Sequence, residues 1–340
     1  MSPFRKKSIF FILLILVVLA FVICFSYFFR QWIYYGIGPG FKEKTVSAGP
    51  LWKGNDAVIG KEGVLVTFLT VGHIRHMRYS PQAVAAKKGP MLGELFTGAL
   101  PLIKRLNPDF IFVTGDMLPL ASFNPFNETP RDIEKEHSLF DLCWDRLSDE
   151  LEDIKPEIVI MPGNHEYFNP VSAQVFKERV GDFYGSIAYA GVRFVWLNSC
   201  RSETGGKPLK EYAGAADITG DQLEFLQRGF SGGEEGWKEK IIFLFVHHSP
   251  FGIGNWQKDI EPLIRGRCPA VFSGTRSGTL SYKERGGVGY FNGGFDTKGL
   301  TPSYMVLTTV YGDGRITYTV YPVLSPGIFG KLKMILAKIF

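Results

Sequence analysis

The stretch Met161-Pro-Gly-Asn-His-Glu-Tyr167 begins at the last residue of segment 157–161, a short apolar run of the length of a buried strand. It places an amide, an imidazole and a carboxylate side by side after a glycine. In open α/β sheets the functional crevice lies outside the carboxyl ends of the strands. The stretch therefore predicts an α/β fold in which a polar site is built at the end of this strand.

The same order, an apolar strand followed by polar residues, recurs along the chain. The other predicted strands are 63–71, 109–114, 241–246 and 270–273. The polar residues that follow them are His73, Asp116, His247 with His248, and Thr275 to Ser277. Any one of these residues alone would be an ordinary turn residue. Because oxygen and imidazole donors suit divalent first-row metals, the ordered set predicts one shared metal-binding site.

The remaining segments predict a single mixed α/β domain. Apolar residues at helical spacing indicate helices over 90–106, 131–154 and 221–228. One hairpin is predicted at 186–197 across a glycine, and another at 303–323 across Gly-Asp-Gly. Strands alternating with helices in this way are typical of a layered domain built on a mixed sheet.

The ordered motifs resemble those of the calcineurin-like metallophosphoesterase family. The matching stretches are 108–116, 161–167, Val246-His-His-Ser-Pro250, 219–226, 286–294 and the final hairpin. The resemblance covers about residues 62–323 of the chain. It implies a four-layer αββα sandwich, in which two sheets are flanked by helices.

The resemblance also implies roles for individual residues. In that family two divalent metals, bridged by the Asp of a Gly-Asp motif, bind a phosphate and activate a water for in-line attack. The residues that match metal ligands are Asp116 as the bridge, His73 for the first metal, and Asn164 with either His247 or His248 for the second. His165 matches the catalytic residue that stabilises charge or protonates the leaving group.

Three positions depart from the family pattern. Val71 stands where an Asp ligand is expected, and Thr275 and Ser277 stand where two ligand histidines are expected. The first metal would keep only His73 and Asp116, so we expect it to be absent. The second metal keeps three protein ligands, which can be enough for a catalytic ion. The cofactor expected is therefore one divalent metal, Mn, Fe or Zn, or none.

Two arginines near these motifs are candidates for the lost positive charge. Arg276 lies inside the altered motif, where a guanidinium would occupy the vacated volume and pair with Asp116 or with a ligand phosphate. The alternative for Arg276 is an outward-pointing loop side chain. Arg75 follows His73 and would line the same rim, although a solvated loop is the ordinary expectation for it.

These losses favour a degenerate member of the family, a pseudoenzyme that acts as a binding or assembly subunit. The alternative is a single-metal phosphoesterase that hydrolyses a phosphate ester of a membrane-associated substrate. A serine or cysteine hydrolase has no support, because the sequence contains no nucleophile-elbow motif and no cysteine with an adjacent base.

Residues 8–29 contain no charge, Pro or Gly and are long enough to span a bilayer as a helix. A cleaved signal peptide, the alternative, has a shorter apolar region followed by small residues, so we expect an uncleaved anchor. Arg5, Lys6 and Lys7 precede the span, whereas Arg30 alone follows it closely. This asymmetry predicts a single-pass membrane protein whose N-terminus is cytoplasmic and whose body is periplasmic or otherwise extracytoplasmic.

The remaining boundaries follow from this plan. Residues 1–7 form the cytoplasmic N-terminus, 30–61 a linker or cover segment, 62–323 the metallophosphoesterase-like domain and 324–340 an amphipathic segment suited to a membrane surface. Residues 31–330 carry 31 Lys and Arg against 33 Asp and Glu, so no nucleic acid partner is expected. The expected partners are the membrane, other subunits of a membrane complex and a phosphorylated ligand.

Overall fold

The computed structural model describes residues 16–17, 19–20, 43–47, 63–75, 89–118, 133–167, 170–200, 215–234, 236–277, 280–295 and 303–323. The strands in this part of the chain are β1 (Glu43–Ser47), β2 (Val64–Val71), β3 (Phe110–Val113), β4 (Glu157–Ile160), β5 (Gly185–Tyr189), β6 (Val192–Leu197), β7 (Ile241–Val246), β8 (Ala270–Ser277), β9 (Leu280–Arg285), β10 (Val288–Gly294), β11 (Ser303–Tyr311) and β12 (Arg315–Val323). The helices are α1 (Glu94–Leu106), α2 (Ile133–Leu151), α3 (Pro170–Arg179), α4 (Gly220–Phe230) and α5 (Glu261–Ile264). A π-helical turn, Trp256–Ile260, precedes α5.

The strands form two mixed sheets. The first has the order β1-β12-β11-β2-β3-β4, and the second has the order β5-β6-β7-β8-β10-β9. Strands β2, β3 and β4 run parallel, and so do β6, β7, β8 and β10. The other pairs are antiparallel. Each sheet therefore contains a parallel centre whose carboxyl ends can carry a site.

The apolar side chains of the described residues divide into three cores, which define four layers. One core lies between the first sheet and helices α1, α2 and α3. A second lies between the second sheet and α4, the π-helical turn and α5. The third lies between the two sheets. The αββα arrangement implied by the sequence is thus the arrangement of the structure.

The core between the sheets is rich in phenylalanine. The ring of Phe68 in β2 lies 4.9–5.8 Å from five other phenylalanine rings, and these are Phe112, Phe194, Phe243, Phe245 and Phe272. Aromatic pairs at such separations attract each other beyond the gain from area burial alone. This cluster holds the two parallel centres face to face, and the site lies at their carboxyl ends.

Most predicted elements lie where the sequence placed them, but strands β9 and β10 and helices α3 and α5 were not predicted. Both predicted hairpins are present, as β5–β6 and β11–β12. Helix α3 was missed because few apolar residues in it follow a helical repeat. Strand β9 was missed because it is largely polar, and β1 lies within segment 30–61, where it pairs with β12.

Among the described residues, no helix combines the length and apolar character that a membrane crossing requires. Of the predicted span 8–29, the structure describes four residues, and these are helical. The rest of that span, residues 1–7 and segment 324–340 lie outside the described residues. Membrane anchoring therefore stays a prediction from the sequence.

Candidate metal centre

The candidate site lies where the carboxyl ends of parallel strands from both sheets meet. His73 follows β2, Asp116 follows β3, Asn164 follows β4 and His247 follows β7 directly. Backbone bonds hold the loops together, for example from the His73 N–H to the Gly115 carbonyl at 3.1 Å. The fold thus brings into one cluster the four residues that the sequence singled out as candidate metal ligands.

Asp116 lies at the centre of this cluster and is only 2% exposed. Its Oδ2 atom is 3.2 Å from His73 Nδ1 and 3.6 Å from both Arg75 Nη2 and His165 Nε2. Its Oδ1 atom is 3.4 Å from His247 Nε2. One face of the carboxylate is therefore turned toward an arginine, and the other toward His247.

Three acceptor atoms converge on the His247 side of Asp116. His247 Nδ1 donates to the Thr114 carbonyl at 2.8 Å, so a lone pair for a metal can only be on Nε2. Nε2 lies 2.9 Å from Asn164 Oδ1 and faces Asp116 Oδ1, which is buried and has no hydrogen-bond partner among the described residues. Acceptors that face one another without a donor are satisfied by a cation.

The donor set fits a single divalent metal. The potential ligand atoms of His73, Asp116 and His247 all lie within 4.8 Å of one another, and all three residues are buried. Nitrogen and carboxylate ligands of this kind suit Mn, Fe or Zn. The second nitrogen of His247 is bonded to a backbone carbonyl, which is the usual way to orient a ligand histidine.

The structure places His248 elsewhere, although the sequence left it as an alternative to His247. His248 Nδ1 lies 3.0 Å from the hydroxyl of Ser199, and that hydroxyl also accepts the His248 N–H at 2.9 Å. The imidazole is thereby directed toward the end of β6 and away from Asp116. Between the two histidines, the geometry favours His247 as a ligand.

The positions of the lost ligands carry no replacement ligand in the described residues. Val71 is buried among the apolar residues that contact the helices. The Thr275 hydroxyl donates to Asn292 Oδ1 at 3.3 Å and accepts the Ser249 N–H at 3.2 Å, so it is already engaged. The side chains of Arg276 and Ser277 lie outside the described residues, and the prediction for Arg276 stays a prediction.

Arg75, expected to be a solvated loop residue, is instead part of the centre. Its side chain is 11% exposed and its Nη2 atom contacts both Asp116 and His165. The expectation was wrong because the backbone after β2 is pinned to the start of α1. Arg75 forms a bridge with Leu92, and the Gly93 N–H donates to the Ile74 carbonyl at 2.7 Å. The sequence feature that could have indicated this is the position of Arg75, two residues after His73 in the same loop.

The contacts of His165 determine its protonation. Its Nδ1 atom lies 2.8 Å from the Leu118 carbonyl, which can only accept, so Nδ1 carries the proton. Its Nε2 atom then accepts a hydrogen bond from Arg75 Nη2 at 2.9 Å. In this arrangement His165 is neutral and presents no proton at Nε2.

Glu166 holds the two site loops together, a role that sequence reasoning missed. It is fully buried, and its carboxylate accepts four backbone N–H bonds of 2.7–2.9 Å, from Asp116, Met117, Leu118 and Gly163. Burial and the nearby Asp116 charge raise the pKa of Glu166, while these N–H bonds oppose the rise. The sequence feature that could have indicated this role is the position of Glu166, an acid directly after Asn164 and His165 in the motif.

Burial sets the charge states of the surrounding histidines. It lowers the pKa of His165 to about 3 and the pKa of His73 to about 4, although Asp116 opposes both shifts. Burial also disfavours the Asp116 carboxylate, but the facing histidines and Arg75 outweigh this and hold the pKa of Asp116 below its usual range. At pH 7 the centre therefore contains the Asp116 carboxylate and the Arg75 guanidinium beside the neutral imidazoles of His73 and His165.

The site loops approach so closely that glycine is required at two positions. Gly115 has φ +88°, and a Cβ there would lie 2.7 Å from His247 Nδ1. A Cβ on Gly163 would lie 2.6 Å from Asp116 Oδ1. His73 and Asp116 themselves have φ of 53° and 63°, a left-handed conformation that costs on the order of 1 kcal/mol each for such residues.

Comparison with known proteins identifies the family of this chain. The model of the calcineurin-like phosphoesterase family matches residues 92–274, more than half of the chain, and the chain belongs to this family. Members of the family bind divalent metals at strand ends, and the His73, Asp116 and His247 cluster is the candidate site here. No curated protein sequence matches the chain.

Several solved structures are similar to this chain at low sequence identity. A dimetal phosphatase from Danio rerio is 11% identical, with a TM-score of 0.51 over 77% of this chain and 99% of that protein. The purple acid phosphatase PPD1 from yellow lupin is 11% identical, with a TM-score of 0.47 over 77% of this chain and 54% of that one. The phosphoesterase YfkN from Bacillus subtilis is 13% identical, with a TM-score of 0.45 over 78% and 92%. At such identities the likeness extends to the fold alone.

Proposed function

We propose that this chain is a membrane-anchored, degenerate member of the calcineurin-like phosphoesterase family that binds one divalent metal and a phosphorylated ligand. In this proposal it acts as a binding or assembly subunit of a membrane complex and does not hydrolyse its ligand. The family membership and the αββα fold support the class of ligand. The altered positions Val71, Thr275 and Ser277 support the loss of one metal.

The observation that carries the proposal is the hydrogen bonding of His165. In the family pattern this residue stabilises charge or protonates the departing oxygen. Here its Nδ1 proton is directed to the Leu118 carbonyl and its Nε2 lone pair accepts from Arg75. A general acid must hold a proton within reach of the leaving group. The imidazole in this state holds none there, which favours binding over turnover.

Asp116, Asn164 and His247 would hold the metal, and His73, which contacts the other oxygen of the carboxylate, lies close enough to join them. A bound divalent cation would supply Lewis acidity toward a phosphate oxygen. The chain itself orients these ligands. The Thr114 carbonyl sets the tautomer of His247, and the four N–H bonds to Glu166 hold the loop that carries Asp116.

The second candidate is a single-metal phosphoesterase that acts on a phosphate ester of a membrane-associated substrate. It is favoured by the convergence of Asp116 Oδ1, Asn164 Oδ1 and His247 Nε2, three acceptors that leave room for a catalytic ion. Three protein ligands with an open position are typical of catalytic sites. In this function a substrate would have to displace Arg75 from His165.

The two candidates are separated by metal content and turnover. The full-length chain in detergent micelles is loaded with Mn²⁺, its metal is counted by mass spectrometry, and p-nitrophenyl phosphate and its bis-ester are tested as substrates. We expect one metal per chain, lost in Asn164→Ala and kept in the control Asn107→Gly at the end of α1, together with phosphate binding and no turnover. Turnover that Asn164→Ala abolishes would establish the second candidate. A folded wild-type chain that binds neither metal nor phosphate would exclude both.

The anchoring part of the proposal rests on the apolar segment 8–29 and the charges that flank it. We expect the chain to stay in the membrane pellet after alkaline carbonate extraction. A C-terminal epitope tag should be accessible to protease from the extracytoplasmic side. Release of the chain by carbonate, or protection of the tag from that side, would contradict this part.

A further inference from the structure

We propose that the Arg75 guanidinium serves as a built-in cation of this centre: it takes the place of one metal ion and binds the phosphoryl group of the ligand directly. The inference deepens the proposed function and rests on it, because it assumes that the ligand carries a phosphate. It assigns the anion-binding role to a residue that family motifs do not include.

Backbone contacts of its loop fix the position of Arg75. Its strand-like bridge to Leu92 and the Gly93 N–H bond to the Ile74 carbonyl hold the loop against the start of α1. The packing is close, since a Cβ on Gly93 would lie 2.9 Å from the Arg75 carbonyl oxygen. The guanidinium is therefore held beside Asp116 by the fold.

The Arg75 guanidinium supplies the counter-charge of the Asp116 carboxylate. A buried carboxylate needs a counter-charge, and leaving it uncompensated is strongly destabilising. Arg75 Nη2 lies 3.6 Å from Asp116 Oδ2, on the side where His73 also contacts the carboxylate. The arginine is permanently protonated. It therefore neutralises the carboxylate on this side and repels a metal ion from the same volume.

Arg75 also retains hydrogen-bonding capacity for a ligand. Its Nη2 donates to His165 Nε2 at 2.9 Å, but its Nε–H is buried without a hydrogen-bond partner in the described part of the chain. A buried donor that is left unsatisfied is costly and calls for an acceptor. The guanidinium fork matches phosphate oxygens in a bidentate manner, which a lysine cannot reproduce.

The geometry thus arranges two different cation positions around one carboxylate. Asp116 Oδ1 faces the acceptors of Asn164 and His247, which fit a metal, and Asp116 Oδ2 faces Arg75. A phosphate that bridged the metal and the guanidinium would have its negative charge balanced from both sides. The ligand class is therefore a phosphate ester whose phosphoryl group is exposed enough to enter between them.

Two titrations of one variant test the inference, using the full-length chain in detergent micelles. The first measures binding of Mn²⁺, and the second measures binding of inorganic phosphate to the Mn²⁺-loaded chain, both by calorimetry. Arg75→Gln should weaken phosphate binding roughly 10- to 100-fold, the range expected for loss of a charged hydrogen bond. It should also tighten Mn²⁺ binding, because a positive charge next to the metal is removed.

Opposite changes in the two affinities distinguish this role from a merely structural one, which would weaken both. Arg75→Lys keeps the charge but loses the fork, and it should restore the Mn²⁺ affinity to the wild-type value and phosphate binding only in part. The control Arg105→Gln removes an exposed arginine from the end of α1, at the opposite edge of the sheet, and should change neither affinity.

The inference is overturned if Arg75→Gln binds phosphate as tightly as the wild-type chain, or if both affinities fall together. Either result leaves the proposed function standing, since wild-type binding of metal and phosphate is measured in the same series. A wild-type chain that binds no phosphate would instead overturn the proposed function and this inference with it.

Discussion

Replacing Glu166 by Gln tests how the site is held together. The Glu166 carboxylate accepts N–H bonds from Asp116 and Gly163 on one oxygen and from Met117 and Leu118 on the other. A glutamine amide keeps one acceptor oxygen and turns the other into an NH₂ donor. Two backbone N–H groups in a fully buried site would then lose their acceptor and face another donor.

The size of the effect follows from these contacts. Leaving a buried donor unsatisfied costs about 1–3 kcal/mol, so two of them lower the free energy of unfolding by roughly 2–6 kcal/mol. This is a large part of the stability of an ordinary domain, which is about 5–15 kcal/mol. Because the affected amides belong to the loops that carry Asp116 and Asn164, the loss should be accompanied by weaker metal binding.

The assay combines urea unfolding, followed by tryptophan fluorescence, with hydrogen exchange of the backbone amides in the full-length chain. Glu166→Gln should shift the urea midpoint downward, and the amides of residues 116–118 should exchange faster. Glu157→Gln removes an exposed carboxylate from β4 and is the matched control. A loss below about 1 kcal/mol with unchanged exchange at these amides would refute the reasoning, because it is less than the cost of one unsatisfied donor.

Three further changes probe the core, the histidines and the loop contact. Phe68→Ala removes the ring that contacts five other phenylalanines and should cost about 3–5 kcal/mol in urea unfolding, whereas Phe68→Leu should recover most of it. His165 has a pKa of about 3 in the fold against 6.5 in the unfolded chain, so the unfolded chain takes up its proton first as the pH falls. The contribution of the neutral imidazole to the free energy of unfolding is present above pH 6.5 and is lost as the pH falls below it. In metal-free protein this loss should amount to about 2 kcal/mol between pH 8 and pH 5. His165→Asn should remove this part of the pH dependence of stability. Gly163→Ala places a methyl group against Asp116 and should weaken Mn²⁺ binding at least about tenfold by calorimetry, whereas Gly98→Ala in α1, where a Cβ meets open space, should not.

Each of these expectations has a contrary result. A cost below about 1.5 kcal/mol for Phe68→Ala would mean that the sheets are held together elsewhere. An unchanged pH dependence in His165→Asn would mean that this imidazole is not kept neutral by burial. Metal binding in Gly163→Ala equal to that of Gly98→Ala would mean that the close approach of the loops does not shape the site.

The order of elements was largely predictable because it depends on local patterns. Strands buried on both faces appear as continuous apolar runs, as β7 does, and the Gly-Asp-Gly turn marked the β11–β12 hairpin. The family resemblance and the layered fold followed from those runs and from the polar residues after them. Strand β9 escaped prediction because it is largely polar and helix α3 because its apolar residues do not follow a helical repeat, whereas β1 pairs with β12, a strand far away in sequence.

Sequence order predicted which residues cluster at the candidate site but not what surrounds them. Asp116, Asn164 and either His247 or His248 were expected together from motif order, because the carboxyl ends of parallel strands lie at one end of the sheet. The geometry favours His247 over His248 because the imidazole of His248 contacts the hydroxyl of Ser199. No local sequence pattern connects Ser199 to this loop. Arg75 was expected in solvent, but its side chain is only 11% exposed because a backbone contact with Leu92 holds its loop against the start of α1.

The sequence by itself indicated the family and the layered α/β fold, and it raised the expectations of altered ligand positions and of a membrane span, because each depends on residue identity and spacing along the chain. Only the tertiary structure decided that Asp116 faces acceptors on one side and a guanidinium on the other, and that Glu166 ties the two loops together. Those facts depend on side-chain directions and on contacts between distant segments, which arise only when the strands and helices pack.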